Sequence, residues 1–193
     1  MLKPWNRILI GALALAVAAP LLGQSAQMKT PLNLTAFAVN MASARPAAQA
    51  SIVEIRVDRW SSDQERQALL DTLHAKGADN LLSALQKTPR VGFIRTPDSV
   101  AWDLHYARTM VGDDGSIRII LGTDRRLSFW ELTNRERSVD YPFTIIEIRL
   151  DKNGKGEGRM SLATKVTASD QGDIYLENYS VEPVRLQNVQ VRK

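Results

Sequence analysis

The sequence predicts an α+β fold: a curved antiparallel β-sheet of about seven or eight strands, a meander, packed on a two-helix hairpin inserted after the first strand. Two short amphipathic segments follow the first alternating stretch, between residues 62 and 88. After residue 90, alternating apolar and polar stretches are separated by short turn sequences. A small β-barrel capped by the helices is the alternative, because a long antiparallel sheet tends to curl.

The N-terminal 26 residues have the composition of an export signal. Lys3 and Arg7 form a basic start, residues 8–22 form an uncharged apolar run, and small residues follow. This order predicts a signal peptide over residues 1–26, and a bacterial protein that is exported to the periplasm or secreted. A retained anchor is the alternative, but a spanning helix needs roughly 20 apolar residues. We therefore expect no stable membrane span after signal cleavage.

Composition excludes several kinds of site. The chain has no cysteine, which excludes disulfides, thiol catalysis, Cys-ligated zinc and a lipid-modified N-terminal cysteine. The net charge is +4, and without Lys3 and Arg7 the chain has 23 basic and 21 acidic residues, or +2. Because this excess is small, we expect no nucleic-acid partner.

The next stretch, residues 27–50, is predicted to be a flexible linker, and residues 51–193 a single α+β domain. The linker is rich in alanine and broken by Pro31 and Pro46, so little burial is available to offset the entropy of ordering it. Residues 51–59 alternate between apolar and polar side chains and predict the first strand.

Helix signals follow this strand. Ser62 and Glu65 have the spacing of a capping box, and Gly77 provides the stop signal of the first helix. A second helix is predicted over residues 79–86, ending before Pro89. The leucines of both helices fall on one face each, which predicts that the helical hairpin packs on the sheet.

The rest of the chain is predicted to form strands joined by turns. Asp-Gly at residues 114–115 and Asn-Gly at residues 153–154 predict hairpin turns. The alternation changes between Leu186 and Val189, which predicts a β-bulge. Strands are predicted at residues 91–95, 100–107, 117–122, 127–132, 143–150, 159–167, 174–179 and 184–191.

Three stretches carry a resemblance to known sequences. They are Val-Gly-Phe-Ile-Arg-Thr-Pro at residues 91–97, Leu-Gly-Thr-Asp-Arg at residues 121–125 and Tyr-Pro-Phe-Thr-Ile-Ile-Glu at residues 141–147. Together they resemble an uncharacterised exported bacterial protein family with no assigned function. The likeness covers residues 51–187 and implies no activity and no site residues.

Asp103 and His105 are the candidates for catalysis. They are two residues apart on one predicted strand and therefore point the same way. In such a pair the carboxylate of Asp103 orients the imidazole of His105, which acts as the general base. A solvent-facing polar side of the strand is the alternative explanation. His74 is the only other histidine, and nothing in the spacing indicates a metal site or a cofactor.

A dense set of arginines in the middle of the chain predicts an anion-binding face, because arginine suits bidentate binding of carboxylate or phosphate. A solvated face balanced by nearby acids is the alternative, and the tryptophans are equally compatible with a core. The candidate ligand-binding residues are Arg95, Arg108, Arg118, Arg125, Trp102 and Trp130.

These features predict an exported, non-enzymatic binding or accessory domain. Its expected ligand is a small apolar or acidic amphipathic molecule held between the sheet and the helices. One alternative is a small periplasmic hydrolase or isomerase that uses Asp103 and His105. Another is a protein–protein interaction module that adds a strand of a partner, such as an envelope protein, to an exposed sheet edge.

Overall fold

The computed structural model describes residues 28–39, 50–77, 80–97, 100–124, 144–161, 164–168, 174–178 and 184–192. The elements in chain order are β1 (Leu32–Val39), β2 (Ala50–Val57), α1 (Asp63–Lys76), α2 (Leu81–Lys87), β3 (Gly92–Arg95), β4 (Trp102–Leu104), β5 (Tyr106–Val111), β6 (Ile117–Thr123), β7 (Thr144–Leu150), β8 (Lys155–Ser161), β9 (Thr164–Ala168), β10 (Ile174–Asn178) and β11 (Val184–Arg192).

Nine strands form one antiparallel sheet in the order β4-β3-β2-β1-β11-β8-β7-β6-β5, and β9 and β10 pair separately. The sheet is nearly barrel-shaped. The prediction of an α+β fold with a curved antiparallel sheet is therefore confirmed, whereas the expected strand count was too low. It was too low partly because β1 was not expected, and partly because the predicted strand at residues 100–107 is two strands, β4 and β5. The predicted strand at residues 159–167 is also two strands, β8 and β9, of which β9 lies outside the nine-stranded sheet.

The two end strands of the sheet are neighbours in the chain. Only His105 separates β4 from β5, so one extended segment pairs with β3 through its first half and with β6 through its second half. At this seam the His105 N–H donates to the Gly122 carbonyl at 2.9 Å. The Ser61 N–H donates to the Ala107 carbonyl at 2.8 Å, and the Ala107 N–H donates to Ser61 Oγ at 3.0 Å. These bonds join the two ends of the sheet.

Strand β1 lies between β2 and β11, inside the stretch that the sequence predicts as a linker. The expectation that the folded chain starts near residue 51 is corrected by this strand, and the helical hairpin follows the second strand. Alternate residues of β1 point inward and are buried, but Ala36 and Ala38 are small, which is why the composition resembles a linker. Pairing on both sides satisfies its backbone, so small side chains suffice in this central position.

The inward side chains of the barrel form one apolar core. Its large members include Ile119, Leu121, Ile146, Ile148 and Leu186, each 0 % exposed. A space wide enough for a water molecule would leave accessible area on the side chains around it. The part of the interior that these residues line is therefore filled by protein.

The helical hairpin packs on the outer side of the wall. Leu73, Leu81 and Leu85 are buried together, with the outward-facing Tyr106 of β5 and Ile145 of β7 packed against them. This arrangement buries the leucine faces that the sequence indicates, although on the outside of the curved sheet.

The capping box of α1 is confirmed. Ser62 Oγ accepts from the Glu65 N–H at 3.1 Å, and the Glu65 carboxylate accepts from the Ser62 N–H at 2.7 Å. Arg59 donates two hydrogen bonds of 2.9 Å to the same carboxylate. Because Arg59 follows β2, this ion pair ties the start of the hairpin to the barrel.

The predicted bulge is present, since the pairing of β11 with β8 shifts between Leu186 and Val189. Asn188 lies in this bulge with φ 52°, a left-handed conformation that asparagine tolerates better than most residues. The predicted strand at residues 127–132 lies outside the described residues.

Two glycines of β8 allow a close approach of its neighbour β7. A Cβ on Gly156 would overlap the carbonyl oxygen of Arg149, and a Cβ on Gly158 would press on the carbonyl oxygen of Glu147. Glycine inside a strand commonly marks such a close approach of two backbones, or a tight bend at a barrel corner.

We expect Gly156→Ala to lower the free energy of unfolding by about 2 kcal/mol or more, because backbone must shift to admit the methyl group. Glu157→Ala, an exposed position between the two glycines, is the control and should change it by less than about 0.5 kcal/mol. Urea denaturation followed by tryptophan fluorescence measures both. Equal stabilities of the two variants would contradict the close approach.

Candidate functional site

Three arginines surround one glutamate on the outer wall of β6, β7 and β8. Arg118 Nε lies 2.9 Å from Glu147 Oε1, an Arg149 Nη lies 3.0 Å from the same oxygen, and Arg159 Nε lies 3.6 Å from Oε2. Glu147 is 8 % exposed, whereas the arginine side chains are about half exposed, at 46, 63 and 51 %. We call Arg118, Arg149 and Arg159 the arginine cluster.

Strand alternation and register place these side chains together. In β7, Ile146 and Ile148 point into the core, so Glu147 and Arg149 point outward. Arg159 of β8 is directly opposite Glu147, and Arg118 of β6 is directly opposite Arg149.

The arginine cluster differs in charge balance from the other described ion pairs formed by arginines. Each of those pairs joins one arginine to one acid; they are Arg56–Asp58, Arg59–Glu65, Arg90–Asp103, Arg95–Glu54 and Arg108–Asp63. At Glu147 three arginines share a single carboxylate, which leaves a local excess of two positive charges. This excess makes the cluster the best candidate site in the described part of the chain.

Glu147 remains ionised because of this surrounding. Burial raises the pKa of Glu147. The charge of Arg118, a hydrogen bond from Arg149 and the charges of Arg149 and Arg159 lower this pKa by more than burial raises it. The net result is a pKa of Glu147 below its ordinary value. The carboxylate therefore holds the three guanidinium groups at neutral pH.

Of the four predicted ligand-binding residues that the structure describes, only Arg118 belongs to the arginine cluster. An Arg95 Nη binds Glu54 at 2.6 Å, and Arg108 binds Asp63 at 2.7 Å. Trp102 packs against the barrel core. Two further predicted residues, Arg125 and Trp130, lie outside the described residues.

Sequence reasoning missed Glu147, Arg149 and Arg159. The alternation of residues 143–150 indicates that Glu147 and Arg149 share the outward side of a strand. The pairing with Arg159 and Arg118 depends on strand register, for which a single sequence holds no direct signal.

Asp103 and His105 have separate partners. The Asp103 carboxylate binds Arg90 Nε at 2.8 Å, while His105 Nδ1 lies 2.8 Å from the Thr88 carbonyl oxygen and Nε2 lies 3.7 Å from Asp124 Oδ1. His105 lies between β4 and β5, so the single predicted strand through Asp103 and His105 is interrupted at His105. The imidazole links the end of α2 to the seam of the barrel.

Among the described residues, no group of three or more histidine or acidic side chains is arranged to hold a metal ion. No helix in the described part of the chain has the length and apolar character needed to cross a membrane. Comparisons of the chain with protein-family models, with curated proteins and with solved structures find no match.

We expect Glu147→Gln to lower the free energy of unfolding by about 1 to 2 kcal/mol at pH 7, since three arginines lose their shared carboxylate. A lowered folded pKa contributes stability above the unfolded value, and this stability is lost as the pH falls through the folded pKa. The two proteins should therefore converge in acid, below about pH 4.3, the ordinary pKa of a glutamate.

Urea denaturation at a series of pH values tests this expectation. Glu54→Gln, which removes a one-to-one ion pair between β2 and β3 on the outside of the barrel, is the matched control and should cost less than about 0.5 kcal/mol. A difference between wild type and Glu147→Gln that persists unchanged in acid would rule out the ionised carboxylate as its cause.

Proposed function

We propose that this protein is a non-enzymatic binding domain that recognises an anionic group, a phosphate or a carboxylate, at the arginine cluster. The observation that carries the proposal is the sharing of one carboxylate by three arginines. The cluster has more N–H donors than the two oxygens of Glu147 can accept. The exposed halves of the guanidinium groups leave the remaining donors for a second anion.

Glu147 prepares the site as well as neutralising part of it. Its hydrogen bonds to Arg118 and Arg149 hold two long side chains in place before a ligand arrives. Ordering such side chains on binding costs about 0.5 to 1.5 kcal/mol each, so arginines that are already held bind an anion more favourably.

Three features favour this surface site over the alternatives. The helix leucines Leu73, Leu81 and Leu85 are buried against the sheet, which leaves little support for an apolar ligand held between the sheet and the helices. The end strands of the nine-stranded sheet meet at His105, which leaves this sheet little edge for a partner's strand. The separate partners of Asp103 and His105 give no support to a hydrolase or isomerase.

The signal peptide predicted at residues 1–26 indicates where the proposed binding would take place. An exported domain would meet anionic groups in the periplasm or outside the cell, and a site on the outer wall is open to them. Binding at a half-exposed site weakens with salt, so the proposed affinity is highest at low ionic strength.

We expect inorganic phosphate to shift the Nε–Hε resonances of Arg118, Arg149 and Arg159 in an NMR titration, with a Kd on the order of 1 mM. Arg149→Gln should weaken this binding about 5- to 10-fold, because a charge-assisted hydrogen bond is lost. Glu147→Gln should strengthen it, because the competing negative charge is removed while the amide oxygen of glutamine still accepts the hydrogen bonds that hold Arg118 and Arg149.

Arg95→Gln is the control, since Arg95 lies on β3, away from the cluster, is paired with Glu54, and should not affect phosphate binding. Shifts of equal size at Arg95 and at the cluster would contradict the proposal, as would an unchanged affinity in both Arg149→Gln and Glu147→Gln.

A further inference from the structure

Two pairs of arginines face each other directly across strands of the outer wall. Arg118 of β6 is opposite Arg149 of β7, and Arg159 of β8 is opposite Arg185 of β11. Like charges directly opposite each other destabilise a sheet. Arg185 is exposed and has no ion-pair partner in the described part of the chain. Arg185 therefore extends the positive charge of the cluster by one strand.

Two glutamates lie in register with these arginines, but they do not balance all of the positive charge on the wall. Glu147 is opposite Arg159, and Glu157 is opposite Arg149. These four arginines and two glutamates leave an excess of two positive charges, and Lys155 of β8 and Arg192 of β11 add to the positive charge of the same four strands. The excess is thus spread along a path and is not confined to the three arginines around Glu147.

Measured along the wall, the backbone positions of the two arginine pairs are about 12 Å apart. Their centres differ by two strand spacings of about 4.8 Å and by two residues of about 3.3 Å along a strand. A phosphate or carboxylate held by the three arginines around Glu147 leaves Arg185, one strand farther on, without an anion, whereas a chain with repeated anionic groups can contact the cluster and Arg185 at once.

We infer that the arginine pairs Arg118–Arg149 and Arg159–Arg185 form a two-part site for a linear polyanion, a flexible chain of repeated phosphate or carboxylate groups. This inference rests on the proposed function and names its ligand class. The chain crosses the wall diagonally, over Glu147, with anionic groups at both pairs.

The curvature of the wall favours a flexible chain over a flat anionic surface. With eight strand positions around the barrel, neighbouring strands turn by about 45° on average. From β6 to β11 the wall therefore turns through about 135°, which a flat membrane surface cannot follow but a flexible chain can.

The composition of the wall favours recognition of charge alone. Strands β6, β7, β8 and β11 contain no phenylalanine, tyrosine or tryptophan. Proteins that bind single-stranded nucleic acid combine positive charge with aromatic side chains on which bases stack. The described wall lacks this stacking surface, so a polyanion without bases fits it better.

The test uses the protein purified after expression with its native N-terminal sequence, and four probes. They are orthophosphate, long-chain polyphosphate, polygalacturonate and single-stranded DNA, each measured by calorimetry at roughly 50 and 200 mM salt. We expect polyphosphate, polygalacturonate or both to bind at least about 100-fold more tightly than orthophosphate, because a second contact on one chain adds avidity. Which polymer binds identifies the source of the anionic groups.

Arg185→Gln should weaken polymer binding about 10-fold and reduce its salt dependence, while orthophosphate binding at the cluster stays unchanged. Arg192→Gln, an exposed arginine farther along β11, is the matched control and should change neither. Circular dichroism confirms that both surface variants are folded.

The other outcomes contradict either the two-part site alone or the proposed function as well. If orthophosphate binds at the cluster but neither polymer binds more tightly, or if Arg185→Gln has no effect, the two-part site is wrong and the proposed function stands. If orthophosphate does not bind, the proposed function fails as well. Tighter binding of single-stranded DNA than of either polymer would overturn the inference in favour of a nucleic-acid ligand.

Discussion

The closure of the sheet at His105 determines which side of each strand faces the core. Because one extended segment provides both ends of the sheet, the wall curls back on itself and has an inside and an outside. Alternation along each strand then sends apolar side chains inward and charged ones outward. The packed interior, the helical hairpin on the outer wall and the arginine cluster all follow from this curl.

The arginine cluster carries a cost that the rest of the wall avoids. Like charges opposite each other in a sheet cost roughly 0.2 to 1 kcal/mol, and the wall has two such pairs. Glu147 offsets part of this cost through its short contacts with Arg118 and Arg149. A purely structural role would be met by the one-to-one pairs found elsewhere, such as Arg95 with Glu54. The unmatched charge is therefore better explained by binding than by stability.

Features that depend on a few consecutive residues were predictable from the sequence. The capping box at Ser62 and the bulge after Leu186 are local patterns, and both are present. Strand β1 was missed, because Ala36 and Ala38 are read as linker composition when the flanking strands are unknown. An alanine is sufficient at such a position only when neighbours on both sides satisfy the backbone and fill the space around it.

The candidate site was predictable only in part, because it depends on strand register. The sequence indicates an anion-binding face and includes Arg118 in it, but Arg118 and Glu147 are 29 residues apart. Their contact follows from the pairing of β6 with β7, and that of Arg159 from the pairing of β7 with β8. A shift of one residue in either pairing would send the arginine to the other face.

Because successive side chains of a strand point to opposite faces, the core residues and the residues of the proposed binding site lie on opposite sides of the wall. The core residues Ile146 and Ile148 flank Glu147 in the chain but point to the opposite side of the wall. Substitutions among the outward arginines therefore leave the apolar packing intact, and their effects on stability come mainly through the charge balance around Glu147. An anion bound to the cluster would supply negative charge where the wall lacks it, so binding and folding reinforce each other through these charges while the core remains unchanged.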